Sequence, residues 1–455
     1  MFDKRRATKK GHPMIDRREF LEAAVAAAVA SRTRVPFAGR QTGAIGANDR
    51  IRVGLIGCGN RGNQVATDWM KHKDSVFAAA CDVARDRLEK TAARLGQTQN
   101  NTVQTYEDYR RILDRKDVDA VLIATPDHWH GPMTVDACAA GKDVYVEKPV
   151  SNEIAPALKM VEAARKYTRV VQVGLQQRSW HHFQEAARLF QDNYIGSLVN
   201  HCQMCPPGGG GPAVPQPPPT PQQPPPGFNW ELFQGPAKRK PFVPARRNWR
   251  GWYDYGGGNL TDWGVHLTDV MHWFMKMDST TPLLTSASAQ YVRTPRDPER
   301  VPDTYAVTWQ YEKFVATLSN AVVPGIEGMQ ELYGNYFFGD RGVLLVNRFG
   351  YEVKPIPSSP SRPPAPGAPA MPEPPPPIEA KKFKDPSGMS EIAESRFGSA
   401  TGRHVRNFLD CVKSRQRPVC DIEIGFNSAL PCLLAIVSIK EGRTVKWDGR
   451  EAKTT

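Results

Sequence analysis

Three stretches of the chain carry residue types that do chemistry at useful spacing. The first is Gly57-Cys58-Gly59-Asn60-Arg61-Gly62, which leaves the apolar run Ile51 to Ile56 and opens a segment of helical pattern. Between a strand and a helix, such glycines allow a tight turn, close approach of backbone to a pyrophosphate, and close helix-strand packing. The helix start adds unpaired amides and a positive dipole end. Asp82 ends the next apolar run, twenty residues past Gly62, where a carboxylate accepts hydrogen bonds from a ribose diol. The second stretch is Glu147-Lys148-Pro149, at the end of a later apolar run. The third is Gly256-Gly257-Gly258 followed by Asp262, His266 and Asp269. On a helix, Asp262 and His266 share a face, and two readings stay open there: a reactive pair, or a helix histidine held by an acid for stability.

These residues need a scaffold, and the pattern supplies one. Ile51 to Ile56, Ser75 to Cys81, Val118 to Ala124 and Lys142 to Val146 read as buried strands, with helical segments after Gly62 and from Pro132 to Ala140. Repeated βα units imply a doubly wound parallel sheet that binds ligands at the carboxyl ends of its strands. Thr125-Pro126-Asp127-His128-Trp129-His130 leaves one such end, and Lys148 leaves the next. The cofactor expected is NAD or NADP. An acid at Asp82 favours NAD, since a 2′-phosphate would face like charge, although Arg85 and Arg87 nearby relieve part of that repulsion. Further on, Leu283 to Val292, Thr304 to Tyr311, Val315 to Val322 and Val343 to Val353 alternate or run apolar as strands do.

Composition narrows the classes. The 455 residues carry a formal charge of +13, but 11 Lys/Arg against 5 Asp/Glu lie in the first 50, and the rest is spread without long basic runs. A nucleic-acid partner is therefore not expected. No apolar run approaches the roughly 20 residues needed to span a bilayer, so the chain is not expected to be membrane-embedded. The eight cysteines are too sparse for a disulfide scaffold. His201-Cys202-Gln203-Met204-Cys205 is either a redox pair or two structural thiols, and with no second C-x-x-C no metal site is expected. Of the 40 prolines, 11 lie in 206–227 and 12 in 355–377. Such tracts neither join a sheet ladder nor continue a helix, and they read as extended surface insertions.

Near the start, Asp16-Arg17-Arg18-Glu19-Phe20-Leu21 and the mildly apolar run Ala23 to Ala30 follow a basic segment. This order resembles a twin-arginine export signal, whose machinery moves folded proteins. Export to the periplasm is the expectation, with a cytoplasmic location if that reading fails. Acidic Glu22 departs from the pattern.

The combined motifs resemble the Gfo/Idh/MocA family, the glucose-fructose oxidoreductase and inositol dehydrogenase group. The matches are Gly57-x-Gly59-x-x-Gly62, Glu147-Lys148-Pro149 and the stretch from Gly256 to Asp269, with Gly174-Leu175-Gln176-Gln177-Arg178, Gly339 to Val343, His404 to Leu409 and Gly425 to Ile439 similar to later family segments. The resemblance implies a Rossmann domain, then an α/β domain with a large open, mostly antiparallel sheet whose exposed face makes a homo-oligomer interface. It implies hydride transfer between a sugar or polyol alcohol and a nicotinamide cofactor. In that chemistry Lys148, Asp262 and His266 are catalytic: His266 the base, Asp262 its orienting and substrate-binding partner, Lys148 the residue at the reacting oxygen. Gly57, Cys58, Gly59, Asn60, Arg61, Gly62, Asp82, Thr125, Pro126, His130, Glu147 and Lys148 hold the cofactor. Arg178 and Asp269 are substrate candidates, as are Trp252 and Tyr253; the alternatives are a surface arginine and core aromatics.

Residues 1–48 are thus expected to be signal and linker, 49–172 the nucleotide domain, 173–448 the substrate and oligomerisation domain carrying both proline-rich insertions, and 449–455 a tail. Two alternatives stay open behind this: a glycosidase acting by transient oxidation, although Asp262-x-Gly-x-His266 resembles the dehydrogenase pattern more, and a non-catalytic scaffold retaining NAD as a structural part, against which Lys148, Asp262 and His266 together argue. Export would favour a captive cofactor, because soluble NAD is scarce outside the cytoplasm.

Overall fold

A computed structural model describes residues 50–207, 220–292, 296–320, 332–357, 377–393, 395 and 398–455. The export-signal stretch and most of both proline-rich insertions lie outside the described residues. The chain begins with strand β1 (Ile51–Ile56), helix α1 (Asn60–Trp69), β2 (Ser75–Cys81), α2 (Arg85–Gln99), β3 (Gln104–Tyr106) and a short α3 (Arg110–Leu113). It continues through β4 (Ala120–Ile123), α4 (Asp127–Ala139), β5 (Asp143–Glu147), α5 (Ile154–Lys166) and β6 (Val171–Gly174). These six strands form one all-parallel sheet in the order β3-β2-β1-β4-β5-β6. β2 and β5 are buried at every residue, which is why the central strands read as unbroken apolar runs. The order reverses between β1 and β4, and this switch point opens the crevice where such sheets bind ligands.

Helix α6 (His181–Gln191) leads to β7 (Val199–Cys205), and after a long excursion come α7 (Trp230–Gln234), α8 (Gly258–Asp262) and α9 (Gly264–Phe274). β8 (Leu284–Gln290), β9 (Thr304–Gln310), β10 (Val315–Ser319), β11 (Gly334–Gly339), β12 (Gly342–Asn347), β13 (Gly350–Pro355) and β14 (Lys381–Lys384) follow. With β7 and the late β15 (Val445–Trp447) and β16 (Ala452–Thr454) they make a second sheet of ten described strands, antiparallel except for the β7–β10 pair. Along β9 buried and exposed residues alternate strictly, so one face packs on α6 and α9 and the other is open.

The last two helices, α10 (Ala400–Ser414) and α11 (Ile422–Glu441), cross back to the first sheet. Phe408 of α10 meets Trp69 and Tyr145 edge-on with ring centres 5.5 and 5.9 Å away. Contrary to the expectation that no apolar run approaches the length needed to span a bilayer, helix α11 is the one described helix long and apolar enough to cross a membrane; 72% of its apolar window is buried inside the protein, as a core helix requires. Three other expectations are corrected. The first sheet runs to Gly174, so a boundary at 172 would cut β6. Val343 to Val353 is two strands with a turn at Asn347–Gly350. The 449–455 tail contains β16, which pairs with β15 at the sheet edge.

Candidate active site

The glycine loop packs too tightly for side chains. Gly57 has φ +97°, and a Cβ on Gly62 would lie 2.0 Å from the Gly57 carbonyl oxygen. A Cβ at Gly59 would meet nothing nearer than the Arg87 guanidinium at 3.7 Å, which leaves that backbone open to a ligand. Cys58 turns its side chain into the core and presents its backbone: its N–H donates to Asp82 Oδ2 at 2.8 Å, and Ala84 N–H donates to Oδ1 at 2.9 Å. Burial raises the Asp82 carboxyl above its ordinary range, against those amides and Arg87. These residues fit a dinucleotide: an open backbone cradle, a helix start, and a carboxylate fixed beside it.

From this loop a cleft of about 560 Å³ runs to the Lys148 end. Gly57, Gly59, Asn60, Arg61, Asp82, Thr125, Pro126, His130, Glu147 and Lys148 all line it, while Gly62 lies behind the loop. His130 lies between the carbonyls of Thr125 at 2.8 Å and Pro149 at 2.6 Å, and its neutral ring donates to one of the two. Burial is the main reason its imidazole is lowered to about 4.

At the far end Lys148 Nζ donates to Asp262 Oδ1 at 2.5 Å and to the Asp262 carbonyl at 3.0 Å. Arg250 Nε reaches Asp262 Oδ2 at 3.2 Å. Burial would raise the Asp262 carboxyl, but Lys148 and Arg250 outweigh it and bring it down to about 2, so it is an anion throughout the physiological range. The helix breaks at Trp263, between α8 and α9. Asp262 and His266 therefore do not pair, which corrects the expectation that one orients the other. His266 is buried and its Nε2 lies 3.3 Å from Arg348 Nη2. A guanidinium only donates, so Nε2 accepts and the ring proton sits on Nδ1, which has no partner. Burial, then Lys148, Arg348 and Arg61, hold the imidazole well below its usual value and keep it neutral.

Several lining residues were not singled out from the sequence. Glu391 Oε1 accepts from Arg61 Nη1 at 2.5 Å and Oε2 pairs with Arg348 Nη2 at 3.1 Å. Arg61 Nε also donates to Glu147 at 2.8 Å. One ionic chain, Glu147–Arg61–Glu391–Arg348, thus joins the glycine loop to His266. Arg348 stands in the β12–β13 turn, a single cation between two apolar strands, and that isolation was the only signal. The strap 220–255 borders the same cleft with Phe228, Leu232, Phe233, Arg247, Trp249 and Arg250. It is tied down by His128 Nε2 to the Phe233 carbonyl at 3.0 Å and by Asn229 N–H to the Val83 carbonyl at 2.9 Å.

Four substrate candidates lie elsewhere. Arg178 is buried and bonds Asp269 Oδ1 at 2.7 Å and Asp278 Oδ1 at 2.6 Å, so Arg178 and Asp269 form a structural ion cluster, since neither borders the cleft. Trp252 is buried in the aromatic cluster of the strap between Arg246 and Arg300, and Tyr253 packs under Lys440. Cys202 and Cys205 are buried free thiols, and no group of metal-ligating residues occurs among the described residues.

Comparison with known proteins settles the family. Residues 51–175 match the Gfo/Idh/MocA oxidoreductase family, NAD-binding Rossmann fold, and residues 216–318 match its C-terminal alpha/beta domain. The chain belongs to the Gfo/Idh/MocA family. Its nucleotide domain is accordingly an NAD-binding Rossmann domain. Curated relatives include a glycosyl hydrolase family 109 protein of Streptomyces coelicolor, 34% identical over 30% of this chain and 28% of that protein. Inositol 2-dehydrogenase 4 of Saccharopolyspora erythraea is 32% identical over 35% of this chain and 48% of its own length. The matches span less than a third of the length of the first of these relatives. Among solved structures, levoglucosan dehydrogenase with NADH and levoglucosan superposes with TM-score 0.61 at 16% identity, over 87% of this chain and 99% of that one. A Kribbella flavida oxidoreductase domain protein gives 0.62 at 18%, over 87% and 99%. At such identities the likeness is one of fold.

Proposed function

We propose that the protein oxidises or reduces a secondary alcohol of a sugar or polyol, using a tightly held NAD. The observation that carries this reading is the convergence of Lys148, Asp262 and His266 at one end of the cleft whose other end is the glycine loop. The loop residues 57–62, Asp82 and the Thr125–Pro126 turn would hold the dinucleotide, which when bound accepts or returns the hydride. What the chain itself must do is remove the hydroxyl proton, steady the oxygen and exclude water.

Lys148 is suited to the second task. Its ammonium, fixed by Asp262, can donate to an alcohol oxygen as negative charge develops there. The neutral His266 is suited to the first, as a buried ring with a lone pair at Nε2. Arg348 occupies that lone pair at a long 3.3 Å, so the substrate hydroxyl must displace a weak hydrogen bond before its proton can pass to Nε2. With NAD bound to take the hydride, the residue left to take the O–H proton would be His266, at Nε2. The strap 220–255 bordering the cleft supports slow exchange of the cofactor. Export through the twin-arginine-type signal is part of the same proposal, as is a homo-oligomer formed on the open face of the second sheet, where Val315 is exposed.

A second reading has an observation of its own. Relatives described as glycosyl hydrolase family 109 proteins match about 30% of this chain, which supports a glycosidase acting by transient oxidation. The test is the near-ultraviolet absorbance of the dialysed protein before and after a panel of sugars, polyols and glycosides. A nicotinamide signal that appears with one free sugar supports the oxidoreductase; release of an aglycone without net reduction supports the glycosidase. A protein inert to the whole panel overturns both.

A further inference from the structure

Asp127 begins helix α4 directly after Pro126, at the carboxyl end of β4, and it lines the cleft together with Lys148 and Asp262. It is 1% exposed. An acid in the first turn of a helix ordinarily bonds the free amides there. This one has only its own backbone N–H beside its carboxyl, its Oδ1 is buried without any hydrogen-bond partner, and no cation forms an ion pair with it among the described residues. A buried carboxyl left unbonded costs on the order of 1–3 kcal/mol, and more if charged. The cost is offset when a ligand completes the site, and the position in the cleft makes that ligand the substrate.

The surroundings keep space for it. A Cβ on Gly256 would press within 3.2 Å of Asp127 Oδ2 and within 3.1 Å of the Trp249 ring, so the first glycine of the Gly256–Gly258 run leaves the carboxyl free. Asp262 on α8 faces Asp127 with a negative charge, while Arg250 on the strap and Lys148 after β5 oppose it, both already engaged with Asp262. Burial first and Asp262 second push the Asp127 carboxyl well above the ordinary range. The two neighbouring acids are thus pushed in opposite directions, Asp262 toward the anion and Asp127 toward the protonated form, in which it can donate.

We propose that Asp127 is a further substrate-contacting residue, its carboxyl donating a hydrogen bond to a hydroxyl oxygen of the sugar or polyol and so deciding which hydroxyl is brought to Lys148. The inference rests on the oxidoreductase reading and deepens it. It assigns specificity to a residue outside the Lys148, Asp262 and His266 set.

The test compares wild type with Asp127→Ala and Asp127→Asn on the sugar selected by the panel and on its deoxy analogues, each lacking one hydroxyl. NADH affinity is read on the same samples by fluorescence. The alanine variant is expected to lose about 100-fold in kcat/KM with NADH affinity unchanged, and to lose nothing further on the one deoxy analogue that lacks the contacted hydroxyl. The asparagine variant, a neutral donor of the same shape, is expected to stay within about tenfold of wild type. Equal loss on every analogue, or none on any, overturns the proposal. Should the alanine variant not fold, the asparagine variant decides: a loss above about 100-fold overturns a neutral donor role. A wild type inert to the whole panel overturns the oxidoreductase reading and this inference with it, a pattern distinct from an active wild type whose variants match it.

Discussion

The two ends of the cleft are built differently. The nucleotide end is built around one contiguous turn, Gly57 to Gly62, whose function is set by what backbone can do without side chains, with Asp82 and the Thr125–Pro126 turn beside it. The reaction end comes from remote segments: Lys148 after β5, Asp262 and His266 on either side of a helix break, Arg250 on the strap, Arg348 from a turn of the second sheet and Glu391 beyond the second proline-rich tract. A contiguous turn is robust and generic, whereas an assembled one is specific and depends on tertiary packing. Binding and chemistry should therefore be separable by mutation.

The largest expected effect is at the reaction end. Lys148→Met should lower sugar-dependent nicotinamide reduction about 1,000-fold while NADH affinity stays within a few-fold; a parallel loss of affinity would mean that the two ends are not separable. At the nucleotide end, Gly62→Val should weaken NADH about 100-fold in a fluorescence titration, because its Cβ would lie 2.0 Å from the Gly57 carbonyl. Smaller is Arg348→Gln. His266 must be neutral to take a proton, so activity falls as pH drops through its folded pKa, which Arg348 helps to depress. Removing that cation should raise this pKa and move the acid limb of the kcat/KM profile to higher pH, with less than about a tenfold change at neutral pH, where the ring stays neutral. An unshifted limb would remove Arg348 from the account. Least affected should be chemistry in Arg178→Met: breaking its buried pair with Asp269 should cost about 3–5 kcal/mol in denaturant unfolding yet leave KM unchanged.

The same contrast explains what could be read from the sequence. β1 and β2 were legible to the residue because both faces of a central parallel strand are buried, and the glycine loop was legible because its chemistry is local. The C-terminal half was legible as strands but not in detail. The apolar residues from Val343 to Val353 run through a turn, which hydrophobicity alone does not mark. Asp262 and His266 were spaced for one helix face, and only tertiary structure shows the break at Trp263 that sends one to Lys148 and the other to Arg348. Arg178 and Asp269 looked reactive because their types are, but charge type does not distinguish an ion cluster in the core from one in a cleft. Asp127 stood in plain view at a strand end; its significance lies in the partners it lacks, which no sequence records.

The most direct test is single-turnover reduction of bound NAD by the sugar the panel selects, in wild type and Lys148→Met, with NADH affinity measured on the same samples. The account predicts a rapid absorbance burst in wild type, none in the variant, and matching affinities. Equal bursts in both proteins, or a wild type that no sugar reduces, would contradict it.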